Sequence, residues 1–339
     1  MIVADSSYRE DMSGVLLTIA IPTYNRLKWL RLSLEIILQQ LDALPAGTAE
    51  VVVSDNCSTD GTTEYLREIA SGRSDFRVNR WPENIGGEAN FYRLPSLSRG
   101  RYLYMIGDDD FLEPGAIAKI CDELRFDPDY LVLNFSVYDS SMTVKKWDRC
   151  IPGQGGVVLL SPDTVYDRVP HMVMGFLSAW VGRREFFNCI SADVYDHYIQ
   201  WGASLMVDRY VGVRKFSDGR LIYTPLLKAK RGDQEFYLAS FDYGEWFLNG
   251  GAEVLNYAVA NTGLPVAVAR RRKRELLRSY SVKRIPWERS EGTFNRRKCL
   301  HGLYANYSEF LEYWLLCVPV SIIPGIGLAL RLLRGLLKK

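Results

Sequence analysis

The sequence predicts an α/β fold in which a mostly parallel central sheet carries helices on both faces. Three observations predict it: continuous apolar runs of strand length, helical stripes between them, and polar residues gathered just after the runs. A sheet of this kind binds its ligands at the carboxyl ends of the strands. At 339 residues the chain has room for one large domain with an appendage, or for two domains.

The elements follow in order. VLLTIAI (15–21) is apolar without interruption, as a strand buried on both faces must be, and Pro22 ends its ladder. In RLKWLRLSLEIILQQL (26–41), Leu27, Leu30, Leu34, Ile37, Leu38 and Leu41 make one helical stripe. AEVVVSD (49–55) reads as the second strand, followed by a helix from Asp60 and a short extended FRVNRW (76–81). A helix over Glu88–Leu97, the strand RYLYMIG (101–107), a helix opening at Pro114 and the strand YLVLNFSVY (130–138) complete a repeated βαβ pattern. Residues 139–230 are less regular, with turns at Pro152–Gly156, a helix at Ser204–Lys215 and a late strand LIYTPLL (221–227). The expected division is a polar extension (1–14), an α/β domain (15–235, in halves 15–138 and 139–235), a basic helical region (236–308) and an amphipathic, apolar C-terminal segment (309–339).

The net charge of +2 hides an asymmetry. The last 70 residues carry 16 Lys/Arg against 5 Asp/Glu, which leaves the rest of the chain at −9. An acidic body repels phosphate, so a nucleic-acid partner is not expected, and the basic tail faces an anionic membrane surface instead. Six cysteines without CxxC spacing read as reduced thiols, not as a disulfide or zinc framework. MIVADSSYREDMSG is polar and carries acids, unlike a signal peptide, so a cytoplasmic location is expected.

GDDDF (107–111) holds three consecutive carboxylates at the lip of a buried strand. A divalent cation carrying a phosphorylated ligand gives that repulsion a purpose; the alternative is a solvated acidic turn. After the first strand, Thr23, Tyr24 and Asn25 offer backbone groups and a flat ring to a base. Asp55, ending the second strand, either accepts the imide N–H or amino group of a base or forms a turn, while Asp60 suits a helix cap. NIGGEANF is either a plain loop or a set of backbone amides facing phosphate. No GxGxxG follows the first strand, so the dinucleotide fingerprint is absent.

Four pieces, LTIAIPTYNR (17–26), VVVSDNCSTDGT (51–62), PENIGGEANF (82–91) and YLYMIGDDDFLEPGAI (102–117), together resemble the family 2 glycosyltransferases of the GT-A fold. The likeness spans about the first 140 residues, and the GDD and SDNCSTDGT stretches look closest to an abequosyltransferase-like, O-antigen branch. The resemblance implies an inverting transfer from a nucleotide-diphosphate sugar, of UDP type, to a hydroxyl of a saccharide acceptor. It implies Pro22, Thr23, Tyr24, Asn25 and Asp55 around the base, and Asn84 and Gly86 near the nucleotide. Asp109 falls on the metal-binding carboxylate for Mg2+ or Mn2+, and Asp108 lies near the ribose or the metal. Asp110 is a third ligand, orients its neighbours or caps the next helix. The family's Asp-x-Asp-Asp begins here with Gly107, which leaves the ligand set open.

An inverting reaction needs a base. Within the resembled acceptor block (175–205) the family's Glu-Asp pair is missing; Asp196 is the first choice, with His197 and Asp193 behind it. Trp180 and Trp201 either stack on sugars or fill the core. Arg231 is expected to swing toward the diphosphate, and Asp233 to meet the metal or acceptor. Tyr313–Leu330 lacks charge over 18 positions but is broken by Pro319, Pro324, Gly325 and Gly327. A clean span takes about 20 residues, so a monotopic anchor on the inner membrane surface is expected, a packed helical hairpin being the alternative. An anchor suits an acceptor on a polyprenyl diphosphate lipid. The rival functions are a nucleotidyltransferase and a non-catalytic membrane- or nucleic-acid-binding protein.

Overall fold

The computed structural model describes residues 14–199, 204–230, 250–279 and 303–322, with Ser281 and Ile285. Chain contacts divide the protein into two units, Met1–Tyr195 with Asp208–Asp233, and Asp196–Val207 with Gln234–Lys339.

The first unit is built on β1 (Leu17–Thr23), β2 (Ala49–Asp55), β3 (Phe76–Arg80) and β4 (Tyr102–Met105), which pair in parallel in the order β3-β2-β1-β4. Their apolar runs explain the arrangement: β1, β2 and β4 are buried along almost every position, so both faces must be covered. Helix α1 (Leu27–Asp42) turns Leu30, Leu34, Ile37 and Leu41 inward, the stripe its sequence predicts. Each such side chain contributes roughly 1.5–3 kcal/mol by leaving water. Helix α2 (Thr62–Gly72) follows β2, beginning two residues past Asp60. Because β1 has β2 on one side and β4 on the other, the strand order reverses at β1. In sheets of this kind ligands bind at such a reversal, beyond the carboxyl ends of the strands.

Beyond β4 the sheet departs from the parallel expectation. The order continues β9-β6-β10-β5, with β5 (Phe111–Leu112), β6 (Tyr130–Tyr138), β9 (Trp180–Arg183) and β10 (Gly219–Lys230). β6 and β10 run parallel to each other, but β9 is antiparallel to both β4 and β6. β5, β7 (Lys145–Trp147) and β8 (Val157–Leu160) pair antiparallel as well. The insertion of β9 is what sequence periodicity could not show: four residues, WVGR, enter between two strands far apart in the chain. Gly182 permits it, since a Cβ there would lie 2.8 Å from the Phe186 ring.

Two helix expectations also change. The single helix over Glu88–Leu97 is two pieces, α3 (Gly87–Tyr92) and α4 (Leu94–Leu97), with Pro95 starting the second. The helix expected at Pro114 starts later, as α5 (Ala116–Leu124), after Gly115 in the left-handed region. Helices α6 (Val165–Arg168), α7 (His171–Met174), α8 (Ala192–Ile199) and α9 (Ser204–Lys215) fill the irregular half.

Within the second unit, α10 (Gly251–Thr262) and α11 (Val266–Ser279) precede a short helix at 303–307 and, after a turn, a helical stretch over 311–322 that contains a π turn at Tyr313–Cys317. Among the described residues, no helix is long and apolar enough to cross a membrane.

Candidate active site

The loops after β1 and β2 are stitched together. Asn25 adopts a positive φ of 51°, which Asn tolerates, and its Oδ1 accepts the Thr59 N–H at 2.7 Å. The Asn25 N–H donates to Ser58 Oγ at 2.9 Å. Asp60 caps two helices, accepting the Leu27 N–H of α1 through Oδ2 and the Thr62 N–H and hydroxyl of α2 through Oδ1. Partial burial raises its pKa, but the Thr62 hydroxyl and the two backbone donors outweigh this and hold the carboxyl below its ordinary value. Pro22 is half-buried and Tyr24 projects its ring into solvent at the lip.

Asp55 is wholly buried. Its Oδ1 accepts the Ser58 N–H at 2.9 Å, and its Oδ2 accepts the Thr63 hydroxyl at 2.8 Å and Arg80 Nη1 at 3.0 Å. A carboxylate has about four acceptor positions, and three are taken. In this structure Asp55 therefore secures its own loop and aims Arg80. Arg80 was not singled out from the sequence, and the signal for it is register: it sits opposite Asp55 on β3. Asn84 turns its Oδ1 to Asn56 Nδ2 at 2.8 Å and to the Gly86 N–H at 2.9 Å. Asn56 Oδ1 in turn accepts the Ile85 N–H. Gly86, at φ 89°, takes a backbone shape that side chains resist. Asn90 is buried against Ser54 and Trp81 and packs the loop from beneath.

The acidic triplet is divided among different partners. Asp108 accepts the Thr23 hydroxyl at 2.7 Å and Arg26 Nη1 at 3.1 Å. Asp109 faces Arg26 Nη2 at 3.1 Å and Lys230 Nζ at 3.6 Å. Asp110 accepts the Ser178 hydroxyl at 2.5 Å through Oδ2 and the Lys230 backbone N–H at 3.1 Å through Oδ1. Ser178 in turn accepts the Gly107 N–H at 2.9 Å, so a residue from the loop before β9 fixes the turn. Burial, against the pull of Arg26, pushes Asp108 up to about 6. Burial and the neighbouring Asp109 charge raise Asp110 as well. The Lys230 side chain is 1% exposed, its ammonium stacked 4.2 Å over the Trp29 ring.

This geometry sorts the expected metal ligands. Asp109 keeps 18% of its side chain exposed and is the carboxylate able to meet an ion. Asp108 stands beside it through the shared Arg26. Asp110 does not fit the set, because both its oxygens are turned into the protein and engaged. Among the described residues, no three His, Cys, Asp or Glu groups converge on one point. One or two carboxylates, with other positions left for phosphate and water, is the usual holding of Mg2+.

The remaining candidates are spread. Asp196 and His197 lie exposed on α8 within the second unit, while Asp193, on the same helix, belongs to the first. The Ser191 hydroxyl holds Asp193 below its ordinary pKa. Trp180 is core, fully buried with Nε1 donating to Val173 O at 2.8 Å. Arg231, Asp233 and Trp201 lie outside the described residues. Asp208 on α9 escaped the sequence reading. Its carboxylate accepts the N–H groups of Asn188, Cys189 and Ile190 and pairs with buried Arg209 at 2.8 Å. Burial raises its pKa against those donors. An acid inside an apolar helical run, MVDRYV, is the signal that marks it.

The likenesses to known proteins fit this arrangement. Over 110 residues the chain is 34% identical to abequosyltransferase RfbV of Salmonella typhimurium, covering 31% of each chain. Over 113 residues it is 34% identical to chondroitin synthase of Escherichia coli, covering 33% of this chain and 16% of that one. The chain thus spans less than a third of the length of these curated relatives. In three dimensions it is similar to S. aureus TarS 1-349 in complex with UDP-GlcNAc, with a TM-score of 0.61 at 14% identity, over 87% of this chain and 82% of that one. That likeness is one of fold, the mixed α/β GT-A fold. The family model for glycosyl transferase family 2 matches residues 18–190. Since that match runs from β1 through β9 and takes in half of the chain, the protein belongs to glycosyl transferase family 2.

Proposed function

We propose that the protein moves a sugar, with inversion, from a nucleotide-diphosphate sugar of UDP type to a hydroxyl of a saccharide acceptor. The acceptor is proposed to ride on a polyprenyl diphosphate lipid at the cytoplasmic face of the inner membrane, within cell-surface polysaccharide synthesis. The observation that carries the donor reading is the pair of cations, Arg26 and Lys230, that meet at Asp109 Oδ2 in the turn after β4. A diphosphate brought there meets Arg26, 42% exposed and held by Asp108 and Asp109, while buried Lys230 adds its positive charge from beneath. Tyr24 at the lip suits a base, and Asp55 with Arg80 braces the loop beneath it. TarS, of the same fold, is seen with UDP-GlcNAc, and RfbV is named an abequosyltransferase; both support a nucleotide-sugar donor.

Mg2+ or Mn2+ held at Asp109, with Asp108 beside it, would supply charge neutralisation for the departing diphosphate. The chain's own contribution is to orient that diphosphate through Arg26 and Lys230 and to take the acceptor's proton, a role we assign to Asp196 or His197. Thermal shift with UDP, with and without Mn2+, tests the donor site. Stabilisation should require both and should disappear in Asp109→Ala; wild-type behaviour in that variant removes the assignment. Asp196→Ala should keep UDP binding and lose transfer, and unchanged turnover would place the base elsewhere.

A further inference from the structure

Among the described residues of the second unit, an apolar ridge is exposed. Leu311, Trp314 and Leu315 are 67%, 49% and 63% exposed, at spacings of three and four that bring them to one side of the helical stretch. They are not a loose end: Tyr313 and Cys317, from the same turn, are buried. Trp314 is held in place, its Nε1 donating to Ser308 O at 3.0 Å and its ring edge-on to Tyr304 and Tyr313. An indole fixed by its polar edge with its apolar body in solvent suits a water–hydrocarbon boundary.

Charge lies alongside. Arg270, Arg274 and Arg278 follow one another at four-residue spacing on α11. They meet the ridge's own segment through Glu309 at 3.2 Å and Glu312 at 3.9 and 2.6 Å. With Arg271 the described face carries four arginines against three acids, Glu275, Glu309 and Glu312, which leaves it one positive charge in excess. The arginines line a shallow cleft of about 590 Å3 together with Ala267 and Glu275. A basic cleft beside an aromatic and aliphatic ridge has two complementary halves, one for phosphate and one for acyl chain.

We infer that this face of α11 and residues 311–315 docks on an anionic phospholipid bilayer, with Leu311, Trp314 and Leu315 entering the interface and the arginines meeting headgroup phosphates. This sharpens the membrane part of the function proposed above and does not depend on the donor chemistry. The test is co-sedimentation of the full-length protein with phosphatidylcholine vesicles containing phosphatidylglycerol, at low and high salt. Wild-type protein should pellet with anionic vesicles and at least tenfold less with pure phosphatidylcholine or at high salt. Leu311→Ser/Trp314→Ser/Leu315→Ser should lose at least tenfold of that binding, as should Arg271→Glu/Arg274→Glu. UDP-induced thermal stabilisation, read in parallel, should stay unchanged in both variants, which shows that they fold. Wild-type protein that stays in the supernatant, variants that pellet like wild type, or retention by RNA without retention by vesicles would each overturn the inference. If vesicle binding fails while UDP binding persists, docking falls alone; if UDP binding fails while docking persists, the donor reading falls alone.

Discussion

Asp109 and Asp110 are adjacent in sequence and face opposite tasks. Asp110 serves the fold: its bonds to Ser178 and the Lys230 N–H tie the β4 turn to the loop before β9 and to the end of β10. Asp110→Ala should therefore lower stability by about 1–3 kcal/mol, the cost of orphaning buried partners, seen as a reduced melting temperature without ligand. Asp109→Ala should remove metal-dependent stabilisation by UDP, and it should also lower the ligand-free melting temperature, because it takes a carboxylate from buried Lys230. Lys230→Met, losing a cation without losing much volume, should weaken UDP about tenfold, near the 1.4 kcal/mol of one modest charged contact. A calorimetric titration reads this directly, and unchanged affinity would take Lys230 out of the donor site. This division was legible only in part: the resemblance placed Asp109 on the metal and left Asp110 open between a third ligand, a neighbour-orienting acid and a helix cap. GDDDF announces a cluster of acids, but the partners that assign each one lie at Arg26, Ser178 and Lys230.

Among the elements, the start of α1 depends on a residue from another loop. Asp60 was expected to cap the helix after it, and it also accepts the Leu27 N–H. Asp60→Ala should cost roughly 1 kcal/mol at each helix start, about twice an ordinary cap, measured by denaturant unfolding. At the opposite end of the sheet, Glu50 on β2 accepts the Thr18 hydroxyl, the Arg99 N–H and two bonds from Arg77. Burial raises Glu50, but these donors outweigh it and its pKa is lowered. A lowered carboxyl stabilises the fold above its unfolded value, near 4.5, and that contribution is lost as pH falls through the lower folded value. Glu50→Gln should cost about 2 kcal/mol at pH 7 and much less near pH 3, by denaturant melts at both. Strands β1, β2, β4 and β6 and helix α1 were readable because their signal is local, a run or a stripe within one segment. The existence of β5 and the place of β9 in the sheet were not, since short strands gain their position from the neighbours they pair with.

For the whole molecule, the proposed donor site lies in the first unit and the proposed docking face in the second. Asp109→Ala should accordingly bind anionic vesicles as well as wild type does, and shared loss in one co-sedimentation series would join the two. The sequence alone determined the α/β class, the strand ends where polar residues gather, the four family motifs and the charge asymmetry. All of these are carried by neighbouring residues or by simple counts. Tertiary structure alone decided that the far half of the sheet is mixed, that Asp55 holds Arg80, that Asp110 turns inward, and that Trp314 is exposed while Tyr313 is buried. The physical reason is common to these cases: a side chain's direction and partners depend on which distant segment packs against it, and spacing along the chain does not encode that.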